Sequence, residues 1–130
     1  MKKMNQTIIA ILSVFILLPN AMAANSEVTW TSPEDYRDIH PGEENKKRFQ
    51  ERVMKNLEAH ILKLAEQLPE GQSLKMNVTD VDLAGDVNHG GIQRIRVVKD
   101  LYFPRIKFDY EVVSANGETI DKGQVDLKDM

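Results

Sequence analysis

The sequence predicts an α+β fold: a two-layer sandwich in which one long amphipathic helix packs on a mixed, mainly antiparallel sheet of about five strands. Apolar residues recur at spacings of three and four in a single long stretch, residues 43–68. Elsewhere they alternate with polar residues in short runs, the pattern of strands with one face buried. A one-sided helix and several one-sided strands bury their apolar surfaces best against each other.

The N-terminus comes first. Lys2 and Lys3 precede an uncharged apolar run, Ile8 to Leu18, followed by Pro19-Asn20 and by Ala21-Met22-Ala23, a small-x-small cleavage site. This is the form of a secretory signal peptide cleaved after Ala23, and the run is too short to span a bilayer. Residues 1–23 are therefore set aside, and residues 24–130 form a single domain without stable membrane insertion. The sequence has no cysteine, which excludes disulfides, thiolate metal ligands, a cysteine nucleophile and a lipoprotein-type lipid anchor. Acidic residues outnumber basic ones, 20 to 17, and two of the basic ones leave with the signal peptide. A nucleic-acid partner is disfavoured by that balance. The expected location is the periplasm.

Val28 and Trp30 alternate with Glu27, Thr29 and Thr31 as a short first strand, ended by Ser32-Pro33. Trp30 reads as a core residue, with an exposed binding aromatic as the other reading. Tyr36 and Ile39 give the connection from Pro33 to Gly42 apolar groups to pack. The helix runs from Glu43 to Leu68, with Phe49, Val53, Leu57, Ile61, Leu64, Ala65 and Leu68 as its stripe and Pro69-Glu70-Gly71 as its stop. His60 borders the stripe and has no second histidine at helical spacing, so a structural role suits it better than metal ligation.

Leu74, Met76 and Val78 alternate with Lys75, Asn77 and Thr79. Continued in phase, the strand would bury Asp80 and Asp82 and expose Val81 and Leu83, which is costly for unpaired carboxylates. A bulge near Thr79 reverses the phase and turns both aspartates outward. Ala84-Gly85 ends the strand, and Gly85 to Gly91 reads as a mobile polar loop carrying Asp86 and His89. Its Gly90-Gly91 pair lacks the form of a phosphate-binding loop, and no cofactor is expected. Ile95 and Val97 alternate with Arg94 and Arg96 in a further strand. After a linker containing Pro104, Ile106, Phe108, Tyr110 and Val112 form the clearest strand, and Ser114-Ala115-Asn116-Gly117 suits a three-residue hairpin loop with Gly117 in the left-handed region. That loop sets Val112 opposite Ile120 and Tyr110 opposite Lys122. An extra residue at Gly123 then places Phe108 opposite Val125 and Ile106 opposite Leu127.

Several of these segments together resemble a bacterial family, domain of unknown function 3016. They are Val28-Thr29-Trp30, Pro33 to Ile39, Leu68-Pro69-Glu70-Gly71-Gln72, Val78 to Gly85, Ile95-Arg96-Val97, Pro104-Arg105-Ile106 and Leu127 to Met130. The resemblance implies a secreted, periplasmic protein and no assigned activity. Members of the family it resembles tend to have a longer segment between the aspartate and arginine strands, and they continue past the lysine-aspartate-methionine end, here Lys128-Asp129-Met130, with a further segment finishing in an aromatic-rich helix. The expectation here is either a shortened member or a chain that lacks an element covering part of the sheet, and the second case predicts an exposed apolar patch with self-association or poor solubility.

The candidate site comprises Asp80, Asp82, His89, Arg94 and Arg96, with Asp86 and Asp100 nearby. Asp80 and Asp82, about 7 Å apart on one strand face, suit a hard cation, although no EF-hand pattern is present and zinc would require more histidine. In the simpler account they pair with Arg94 or Arg96 across adjacent strands, or cap the following loop. His40, His60 and His89 fall on a linker, a helix and a loop, and no catalytic residue is assigned. The functional expectation is a non-catalytic periplasmic binding or interaction module, whose partner is an envelope protein or a second copy. The alternative is a metal-binding protein or metal-dependent hydrolase using Asp80 and Asp82.

Overall fold

A computed structural model describes residues 25–88 and 90–129. The signal segment, its cleavage position Ala23 and the candidate residue His89 lie outside the described residues. In chain order the elements are β1 (Glu27–Trp30), a 3-10 turn (Pro33–Asp35), α1 (Lys46–Ala65), β2 (Ser73–Asp82), β3 (Gly85–Asn88), β4 (Ile95–Val98), β5 (Arg105–Val113) and β6 (Thr119–Lys128). The α+β class holds, with one α-helix among the described residues. The strands form a four-stranded mixed sheet, β1-β2-β5-β6, and a separate two-stranded sheet, β3-β4, instead of one sheet of about five. β1 runs parallel to β2, and the other pairs are antiparallel.

β3 corrects the expectation of a polar loop. Gly85 faces Val98 and Asn88 faces Ile95, so the first half of that segment is half of a hairpin. Only Val87 there is apolar, too little for an alternation to register, yet its side chain is buried.

α1 is shorter than its periodicity suggests. Asn45 accepts a hydrogen bond from Arg48 N at 3.1 Å and caps the first turn, leaving Glu43 and Glu44 ahead of the helix. At the other end Gln67 N and Leu68 N donate to Leu64 O and Ala65 O, tightening the chain to 3-10 geometry before Pro69. Phe49, Leu57, Ile61 and Leu62 pack on the core, whereas Leu64, placed by the sequence in the stripe, is exposed.

The bulge in β2 falls where the aspartates require it. Val78 faces Phe108 and Asp80 faces Lys107, so Thr79 is the extra residue and Val81 returns to the interior. The core gathers Val28, Tyr36, Ile39, Met76, Val78 and Val81, with Trp30 packed against it. Tyr36 Oη donates to Val78 O at 2.7 Å, and the same carbonyl accepts from Thr31 N at 2.9 Å. Burial, with the nearby Asp80 and Glu34 charges adding to it, pushes the Tyr36 phenol up to about 12.

In the β5-β6 hairpin Phe108 does face Val125 and Ile106 does face Leu127. Gly117 is left-handed (φ +81°) and donates to Ser114 O at 2.9 Å. The extra residue, however, is Ile120 and not Gly123: Val113 faces Thr119, Val112 faces Asp121 and Tyr110 faces Gly123. Tyr110 lies across Gly123, where a Cβ would sit 3.1 Å from its ring. The large ring and the bare backbone pair off, and the irregularity moves next to the turn.

Candidate functional site

Residues directly opposite in neighbouring strands share a face of the sheet. One face therefore carries four cross-strand rows: Glu27-Lys75-Glu111-Lys122, Thr29-Asn77-Asp109-Gln124, Asp80-Lys107-Asp126 and Asp82-Arg105-Lys128. Charges alternate in sign along the first and third rows. Asp80 and Asp82 are thus members of a solvent-facing charge lattice, opposite Lys107 and Arg105. They are not across from Arg94 and Arg96, which the sequence reading paired with them, because β2 is flanked by β1 and β5 while β4 pairs with β3. Asp82 does cap the next turn, its Oδ1 accepting from Ala84 N at 3.0 Å. Within the lattice Arg105 makes a two-pronged ion pair with Asp126, with Lys107 Nζ 4.0 Å from the same carboxylate. The hydrogen bonds from Arg105 hold the Asp126 carboxyl below its usual range.

Arg96 has another partner. Its Nη2 donates to Asp38 Oδ2 at 2.7 Å and to Leu83 O at 3.1 Å; its Nη1 donates to Asp38 O at 2.7 Å and His40 O at 3.2 Å. The guanidinium lies 5.9 Å from the Phe49 ring centroid. Asp38, left-handed at φ +54°, also accepts from Gly85 N. The side chains of Arg96 and Asp38 are only 19% and 15% exposed. This cluster fastens the β3-β4 hairpin to the connection before α1. Two glycines make the fit possible: a Cβ at Gly85 would run into the guanidinium, and one at Gly42 would collide with the Arg94 carbonyl. Arg94 itself lines an open cleft of about 480 Å³ with Asp38, His40, Glu44, Lys46 and Asp86, a lining of mixed sign. Among the described residues no three His, Asp or Glu side chains converge as a metal-binding set.

The opposite face of the sheet is apolar and half covered. α1 lies on the β1 and β2 side, where Val28, Met76, Val78 and Val81 are buried. Among the described residues the cover stops over β5 and β6. Ile106, Phe108, Tyr110, Val112 and Val125 are only half-buried, and Leu127 is 54% exposed. A groove of about 250 Å³, lined by Leu57, Val81, Leu83, Pro104, Ile106 and Leu127, runs along the edge of the covered region. Alternation in the sequence identifies these residues as one face; it carries no information on how far a single helix reaches across it.

A profile of the family described as "Protein of unknown function (DUF3016)" matches residues 24–130. The chain belongs to this family. No curated protein and no solved structure matches it. The family brings no activity to the DUF3016 chain, so the site stands on its own geometry. No helix among the described residues is long and apolar enough to cross a membrane.

Proposed function

We propose that this DUF3016 protein is a non-catalytic binding module exported to the bacterial periplasm, and that it holds an apolar segment of an envelope protein on the open half of its sheet. The observation that carries the reading is the uncovered apolar face of β5 and β6. In this reading the domain is a two-layer sandwich whose helical layer ends over β2, and the partner supplies the rest of the layer. Contiguous apolar surface rimmed by charge, here Asp82, Arg105 and Asp129 at the groove, is a common form of protein-binding surface. Export is supported by Lys2, Lys3, the apolar run and the Ala21-Met22-Ala23 site.

A photo-cross-linking residue tests the reading. Placed at Val125 on the open face, it is expected to give a discrete adduct with an envelope protein in living cells; placed at Gln124 on the charged face, it is expected to give none with that partner. Equal labelling from both positions, or labelling from neither, would overturn the proposal. Export is checked by sequencing the N-terminus of the periplasmic form, expected to begin at Ala24.

A further inference from the structure

β6 ends the sheet, and among the described residues no strand pairs with its outer edge. Asp129 N donates to Pro104 O, so the odd-numbered residues of this strand turn their backbone groups toward β5. The even-numbered ones, Lys122, Gln124, Asp126 and Lys128, turn theirs to the free edge. The bulge at Ile120 lies near one end and leaves a regular ladder from Asp121 to Lys128.

We propose that β6 pairs antiparallel with β6 of a second copy of this chain, on a two-fold axis through Gln124. A two-fold perpendicular to the sheet keeps the charged face on one side and the apolar face on the other. Centred on Gln124, it sets Lys122 opposite Asp126 of the second copy, and the reverse. The row Glu27-Lys75-Glu111-Lys122 then continues into Asp126-Lys107-Asp80 of the other copy, so the alternation of sign runs unbroken across the interface. Neighbouring registers lose this match. An axis through Val125 sets Lys122 against Lys128, and one through Asp126 sets that carboxylate against its own copy. Charged residues on an edge strand ordinarily guard it against pairing; here they oppose the two registers just named, while the one centred on Gln124 brings Lys122 and Asp126 together twice and continues the charge rows. The pairing joins the two open half-sheets into a single apolar trough between two helices. It rests on β6 and the charge rows, not on the residues that carry the binding reading, so either can fail alone.

Because the chain has no cysteine, single cysteines report the register cleanly. The protein is expressed from its full sequence and purified as the cell processes it, then oxidised with glutathione disulfide. Gln124 would face its own copy across a hydrogen-bonded pair, at a Cα separation of about 5.5 Å, within disulfide range. The two copies of Lys122 would stand about 14 Å apart. Gln124→Cys is therefore expected to cross-link rapidly and Lys122→Cys not to. Comparable cross-linking at both positions, or at neither, overturns the proposal. A second test needs no disulfide. Lys122→Glu and Asp126→Lys each place like charges across the axis and are expected to sediment as monomers; mixed, they restore both opposite-charge pairs and are expected to form a heterodimer. Variants that stay dimeric alone, or a mixture of folded variants that stays monomeric, refute the register.

Discussion

Tyr36→Phe should lower stability at neutral pH and cease to do so in alkali. The hydroxyl donates to Val78 O inside the core, but that carbonyl keeps its bond from Thr31 N when the hydroxyl is gone. The loss at pH 8 should thus be that of one hydrogen bond, about 1 kcal/mol. The folded phenol stands at about 12 against the ordinary tyrosine value of 10.0. A raised folded value means its stabilisation is fully present below pH 10 and is lost as pH rises toward 12. At pH 11 the unfolded phenol is mostly ionised and the folded one is not, so Tyr36 gives up about 1.4 kcal/mol there. The gap between the two proteins should close near pH 11 and then reverse. Lysines and the other tyrosines ionise in both and cancel in the difference. Denaturant unfolding of both proteins at pH 8, 9, 10 and 11 measures it. A gap that stays constant across this range would show that Tyr36 is not buried as described. The result bears on the whole connection, since Tyr36 and Ile39 pin the segment that presents Asp38 to Arg96.

Arg96→Met leaves the Asp38 carboxylate mostly buried without its partner and should cost about 3 kcal/mol, read as a drop of ten degrees or more in the melting temperature; Gly85→Ala should move in the same direction by displacing the guanidinium. Asp80→Asn, on an exposed lattice, should change stability by no more than about 1 kcal/mol. Calcium, magnesium, manganese or zinc should leave the melting temperature of the parent and of this variant equally unmoved, whereas a metal shift lost with Asp80 would revive the cation-site reading. Leu127→Ser on the open face should cost little stability, because the side chain is already half in water, yet should abolish adduct formation from Val125.

Much of this molecule is legible along the chain because each constraint is local. Alternation marks β2, β5 and β6, a carboxylate that must stay wet forces the bulge at Thr79, and Gly117 sets the hairpin turn. Where two local solutions satisfy the same alternation, the sequence cannot choose. A bulge at Gly123 and one at Ile120 both place Phe108 opposite Val125, and only the packing of Tyr110 across Gly123 selects the second. β3 escapes notice because a four-residue strand with one apolar residue has no period; its partner β4 makes it a strand. The Asp38-Arg96 pair spans 58 residues, and nothing in the linker around Asp38 announces it. Burial of a carboxylate and a guanidinium depends on elements that meet only after folding. The chain by itself determines the α+β class, the apolar and charged faces of the sheet, and the outward turn of Asp80 and Asp82, since these follow from the phase of side chains along a strand. Tertiary structure alone decides which half of the apolar face the helix covers and which strands lie at the edges of the sheet, because those depend on strand order, and strand order is set by long-range pairing.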